Sequence, residues 1–242
     1  MPAASGGLVP DLPDPSGRWA DLGLRAISVL VLAPVAIAGV WLGGIAFAAI
    51  VTVTTIGLGV EWLRLLGAGR HGAPRRAPWI VISPGYVLLA AAALVWLRSD
   101  PVAGRADVLF LLCVVWSNDV GAYLLGRLIG GPRLAPRTSP GKTWSGAAGG
   151  LLVAIAAGLS AAHVLSDVPP WRAVPAAALL GVVAQGGDLL ESFVKRRLEV
   201  KDSGHLIPGH GGLFDRLDAL LAAAPVAALL ALIHGRGVVL WQ

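Results

Sequence analysis

Long apolar runs, parted by short gaps rich in Lys and Arg, constrain this chain more than any other feature. A helix needs about 20 predominantly apolar residues to cross a bilayer core. Segments near 24–41, 43–63, 78–97, 106–126, 145–165, 172–194 and 217–235 meet that requirement. They predict an all-α, polytopic transmembrane protein of about seven spans. Only 14% of the 242 residues are charged, against about a quarter in a soluble domain, so lipid must cover much of the surface. The length allows one membrane domain, 23–242, behind a polar tail, 1–22, rich in Pro, Gly and Asp and expected to be disordered. The run from Leu24 is too long for a signal peptide and lacks a small-residue cleavage pattern. The single cysteine, Cys113, lies in an apolar run, which leaves it a packing role rather than a disulfide or zinc site.

The basic residues set the expected orientation, because Lys and Arg accumulate in cytoplasmic loops. Alternate gaps hold 15 of the 19: Arg18 and Arg25; Arg64, Arg70, Arg75 and Arg76; Arg127, Arg133, Arg137 and Lys142; Lys195, Arg196, Arg197, Lys201 and Arg216. Arg98, Arg105, Arg172 and Arg236 fall on the other side. The N-terminus is therefore expected in the cytoplasm, with an odd number of spans. This pattern also accounts for the net charge of +5 and excludes nucleic acid as the reason for it.

Charges inside a span are costly and mark function. By this criterion two spans carry them. Asp119, in Trp116-Ser117-Asn118-Asp119, stands eight residues before Arg127, and Asp188 stands eight before Arg196. At 1.5 Å per residue both acids lie roughly 12 Å from the same boundary, a depth at which they can share a cavity. Asp188, Glu191 and Lys195 succeed one another at spacings of three and four, along one helix face.

The inner loops carry the matching cations. The last, from Lys195 through His205 and His210 to Asp218, combines basic residues that neutralise phosphate oxygens with a Gly-rich stretch, Gly209 to Gly212, whose amides can turn toward an anion. Asp215 and Asp218 then occupy one face of a first helical turn. Hard Mg²⁺ takes carboxylates, so Asp188 and Asp215 are expected to hold a metal between adjacent helix ends. The His-x₄-His pair is weak evidence for zinc. The preceding loop contains Ser139-Pro140-Gly141-Lys142-Thr143. It ends like a P-loop, but Pro136 occupies the position of the first glycine and no strand is expected before it. Ser139, Lys142 and Thr143 remain candidates for phosphate contact.

With these residues in view, the chain resembles the phosphatidate cytidylyltransferase, or CDP-diglyceride synthetase, family. Ser192 to Asp218 matches that family's C-terminal motif without a gap. Asn118-Asp119, Gly121-Ala122-Tyr123, Gly126-Arg127, Ser139 to Trp144 and Gly187-Asp188-Leu189 support it. The resemblance is strong over 116–218 and only hydropathic before about residue 100; one departure is Asn118, where Asp or another small polar residue is expected before Asp119. It implies a cell-membrane enzyme, often a homodimer, with its active site facing the cytoplasm. The implied reaction converts CTP and phosphatidate to CDP-diacylglycerol and pyrophosphate. Residues matching Asp188 and Asp215 would bind Mg²⁺, with K⁺ nearby.

In the mechanism expected from these residues, the phosphatidate phosphate attacks the α-phosphorus of CTP, so catalysis is mostly positioning and charge neutralisation. Lys201, Asp215, Arg216 and Asp218 are the expected catalytic residues, with Asp218 orienting Arg216 or adding a metal ligand. Ser139, Lys142, Thr143, Lys195, Arg196, His210, Gly211 and Gly212 are the expected substrate contacts. A transporter would leave the Lys-, Gly- and Asp-rich loop unexplained, and a polyprenol kinase would differ in its acceptor. The alcohol phosphotransferases that consume CDP-diacylglycerol are disfavoured because the sequence holds no D-G-x₂-A-R stretch. With these roles, Asp215→Asn abolishes turnover while the protein still folds and inserts; near-normal turnover of purified variant would count against Asp215 as a metal ligand.

Overall fold

Helices fill the apolar runs in the computed structural model, which describes residues 32–68, 73–198 and 212–242. They are α1 (Leu32–Leu42), α2 (Gly44–Ala68), α3 (Ala73–Arg98), α4 (Gly104–Ile129), α5 (Trp144–Leu165), α6 (Ala173–Arg197) and α7 (Phe214–His234). A 3₁₀ turn, Pro170–Arg172, leads into α6. Among the described residues, five helices are long and apolar enough to cross a membrane: α2, α4, α5, α6 with its leading turn, and α7. The apolar helices Leu32–Leu42 and Ile82–Arg98 are shorter. The polar tail expected over 1–22 lies outside the described residues.

Much of the apolar surface faces outward. At most 44% of any spanning window is buried, and for α2 the share is 17%. Ile45, Leu128 and Val164 are at least 78% exposed, an arrangement that water would penalise and lipid tails would cover. The interior is built largely from small residues. Ala177, Ala184, Ala223, Ala224 and Ala227 are fully buried around Phe110, Leu111 and Leu180.

Small side chains let helix backbones approach, which is how packing energy is gained where no hydrophobic force drives association. The α4–α5 pair shows this most strongly: a Cβ on Gly150 would stand 2.7 Å from the Asn118 carbonyl and 2.9 Å from Ala122 Cβ. On the α6–α7 crossing, a Cβ on Gly187 would lie 2.7 Å from the Asp218 carbonyl.

One element departs from the all-α expectation. Residues Arg133–Ala135 (β1) and Ser139–Thr143 (β2) form an antiparallel hairpin, pairing Arg133 with Thr143 and Ala135 with Ser139. Pro132, Pro136 and Pro140 exclude a helix here. A strand thus does precede Pro136, contrary to expectation, but it belongs to an isolated two-stranded ladder rather than the parallel βαβ unit of a P-loop.

At the end of α4 away from this hairpin, the residues after α7 fold back into the bundle. Asp100 Oδ2 accepts the Gly237 N–H at 2.7 Å, and Asp107 Oδ1 accepts the Leu240 N–H at 3.0 Å. Trp241 is 1% exposed and stacks on Phe110 at 4.4 Å. Burial raises the Asp100 pKa, but the N–H groups of Ala103, Gly237 and Val102, with Arg236 nearby, outweigh it and hold the pKa below the ordinary 3.8. A depressed carboxylate pKa stabilises the fold above the unfolded value and ceases to do so as pH falls through the folded one. Thermal melts of wild type and Asp100→Asn should therefore differ fully at neutral pH, and the gap should close only at pH below 3.8.

Candidate functional site

The hairpin, α4, α5 and α6 enclose a cavity of about 450 Å³. Asp119 from α4 and Asp188 from α6 both line it, as their matching depth predicts, together with Arg127, Lys142, Thr143 and Gln185. Local chemistry explains how each wall is held. Thr143 closes β2 and caps α5, its Oγ1 accepting the Gly146 N–H at 3.1 Å. Ser145 Oγ donates to the Gly130 carbonyl, tying the end of α4 to the start of α5. Gln185 Nε2 donates to the Ala147 carbonyl and to Asn118 Oδ1, both at 2.9 Å, so one amide joins three helices. Arg196 Nε reaches the Thr138 carbonyl at 3.4 Å and ties the hairpin turn to α6.

Within this frame Lys142 Nζ stands 2.5 Å from Asp188 Oδ2. The expected phosphate-binding lysine and the expected metal-binding aspartate are thus direct neighbours. Ser139 begins β2, half-buried, and Thr143 ends it.

Behind Asp188 the acids converge. Oxygen atoms of Asp188, Glu191 and Asp218 all lie within 4.8 Å of one another, and Glu191 and Asp218 are buried. The close crossing at Gly187 brings α7 to α6 here. Lys195 Nζ offsets part of the charge, at 2.7 Å from Asp215 Oδ1 and 3.4 Å from Glu191 Oε1. That Glu191 oxygen is buried and has no hydrogen bond, so the lysine's longer contact compensates it only by charge. An all-oxygen donor set with an orphaned buried carboxylate atom fits a hard divalent cation. No histidine joins this cluster among the described residues.

The two expected metal residues, Asp188 and Asp215, have different neighbours. Asp188 clusters with Glu191 and Asp218, while Asp215, on the first turn of α7, is held by Lys195. Helical geometry accounts for this: Asp218 lies one turn deeper than Asp215 and is nearer the level of Asp188. Arg216 is exposed on the same turn, and Gly212 is buried just before it. Lys201, His205, His210 and Gly211 lie outside the described residues.

Glu61 puts an internal acid in a third span, α2, beyond the two spans expected to carry them. Its side chain is 1% exposed. Its Oε1 accepts the Leu213 N–H at 3.1 Å and its Oε2 the Phe214 N–H at 2.7 Å. The signal was present, since a carboxylate interrupts the second apolar run. Gln185 carried a similar signal as a lone amide in an apolar run.

Removing Lys195 would leave Glu191 and Asp215 facing each other without their shared cation. Lys195→Met is expected to cost ~3 kcal/mol, the scale for breaking a buried pair from one side. Lys142→Met should cost less, because Lys142 and Asp188 side chains are 25% and 38% exposed; denaturant titration in detergent compares the two.

The sequence is similar to those of known proteins. Residues 80–234 match the Cytidylyltransferase family. A phosphatidate cytidylyltransferase of Brucella suis is 35% identical over 250 residues, covering 86% of this chain and 93% of the relative. One from Rickettsia bellii is 33% identical, covering 85% and 89%. One from Mycobacterium leprae is 41% identical over 151 residues, covering 62% of this chain and 46% of its own length.

Proposed function

The chain belongs to the cytidylyltransferase family, and we propose that it is a phosphatidate cytidylyltransferase, making CDP-diacylglycerol and pyrophosphate from CTP and phosphatidate. The observation that carries this reading is the Lys142–Asp188 contact in a cavity backed by three converging carboxylates. A lysine suited to neutralising phosphate, beside carboxylates suited to a hard metal, supports the reading.

The transfer needs no strong base. A phosphatidate oxygen, already anionic, forms a bond to the α-phosphorus of CTP, and the α–β bridging P–O bond breaks to release pyrophosphate. The barrier comes from bringing anions together, so preorganised positive charge is what lowers it. Lys142 lines the cavity and contacts the phosphates, with Ser139 and Thr143 beside it. Lys195, Arg196 and Arg216 supply charge from α6 and α7, and Lys201, His210 and the Gly211 and Gly212 amides come from the connection between them. Asp188, Glu191 and Asp218, with Asp215 one turn earlier on α7, are the proposed ligands for Mg²⁺, with K⁺ as a monovalent companion. Bound Mg²⁺ supplies electrostatic neutralisation of phosphate oxygens.

The proposed setting is the cell membrane, with about seven spans and the N-terminus and cavity mouth in the cytoplasm. The distribution of Lys and Arg supports that orientation. The phosphatidate tails then remain in the inner leaflet while CTP enters from water. A homodimer, implied by the family resemblance, completes the proposal.

Purified protein incubated with labelled CTP, phosphatidate and Mg²⁺ should give a labelled lipid, and none when phosphatidate is omitted or replaced by a polyprenol phosphate. Asp188→Asn should lower turnover by at least ~100-fold, the scale of losing one preorganised electrostatic group. Unchanged CTP and phosphatidate in the wild-type reaction would overturn the assignment.

A further inference from the structure

Helix α7 begins without a local cap: Leu213 stands at the N-cap position and makes no side-chain capping bond. The first N–H groups of a helix need partners, and those of Leu213 and Phe214 find theirs in Glu61, more than 150 residues away in sequence. The next residue of α2 reinforces the contact. The Trp62 ring lies 5.4 Å from that of Phe214, centroid to centroid. Two consecutive residues of α2 therefore grip two consecutive residues at the entrance to α7.

The acid-bearing turn of α7 starts directly after that grip. Asp215, next to Phe214, contacts Lys195, and Asp218, one turn on, joins Asp188 and Glu191. A shift or rotation of the start of α7 would move both carboxylates relative to α6. A buried carboxylate in a span is expensive, and Ser, Thr or Asp at the N-cap position would satisfy a helix end more cheaply. The non-local arrangement instead ties α7 to a helix outside residues 80–234, the stretch that matches the family.

We propose that Glu61 is a positioning residue: by accepting the Leu213 and Phe214 N–H groups it fixes the first turn of α7 and so places Asp215 and Asp218 against α6. The proposal rests on the transferase reading for its effect on turnover. Its effect on cation binding stands apart from that reading.

The test compares wild type, Glu61→Gln and Glu61→Ala, purified in detergent and checked for helicity and monodispersity. Two quantities are measured: the Mg²⁺ concentration that half-maximally raises the melting temperature without nucleotide, and the kcat and KM for CTP. Glu61→Ala should need several-fold more Mg²⁺, and its kcat should fall by about 100-fold, the scale of an ångström's misplacement of reacting groups, while KM for CTP changes little. Glu61→Gln keeps one acceptor oxygen and should lie between. A lowered melting temperature with wild-type Mg²⁺ dependence and kcat would reduce Glu61 to a structural cap and overturn the proposal. If Glu61→Ala fails to insert, the isosteric Glu61→Gln decides by the same two readouts. If wild type makes no labelled lipid, the transferase reading fails, and the Mg²⁺ titration alone decides the role of Glu61.

Discussion

Carboxylates at membrane depth have to be compensated, and the way this chain compensates its own organises the end of the bundle that holds the cavity. Lys142 meets Asp188, Lys195 meets Asp215 and Glu191, and the N-terminus of α7 meets Glu61. None of these partners comes from the immediate neighbourhood in sequence except Lys195 for Glu191. Each of the other contacts therefore also draws two elements together: hairpin to α6, α6 to α7, α2 to α7. Electrostatic necessity and tertiary structure are one set of contacts. Glu191 Oε1, buried without a hydrogen bond, marks where the protein's own groups stop short of full compensation.

Close helix packing makes that convergence possible. Gly150 lets α4 and α5 approach until only hydrogen would fit between them, and Gly187 does the same for α6 and α7. The residue after Gly187 is Asp188, so the point of closest approach is also the point where the carboxylates meet. A bulkier residue there would hold the helices apart at the place where the ligand set depends on their contact.

The helical framework was legible in sequence because hydropathy and length report directly on bilayer crossing. The expected run 145–165 became Trp144–Leu165, and 172–194 became Ala173–Arg197. Asp119 and Asp188 could be assigned a common cavity because helix rise converts residue spacing into depth. The particular partners were not legible in the same way. That Asp218 joins Asp188 and Glu191 depends on how α6 and α7 cross, which no local spacing fixes. Glu61 was visible as a charge in an apolar run, but its partners are backbone groups, which leave no mark in the sequence. The hairpin was hidden because a five-residue strand containing Pro140 and Gly141 lacks alternating hydropathy.

That hairpin fixes the position of the lysine it carries. A loop free to sample many conformations would lose that freedom each time it brought a side chain to one point. Pairing of Arg133 with Thr143 and of Ala135 with Ser139 holds the backbone that carries Lys142 in place. The Lys142 ammonium group therefore meets Asp188 from a backbone that the fold has already ordered.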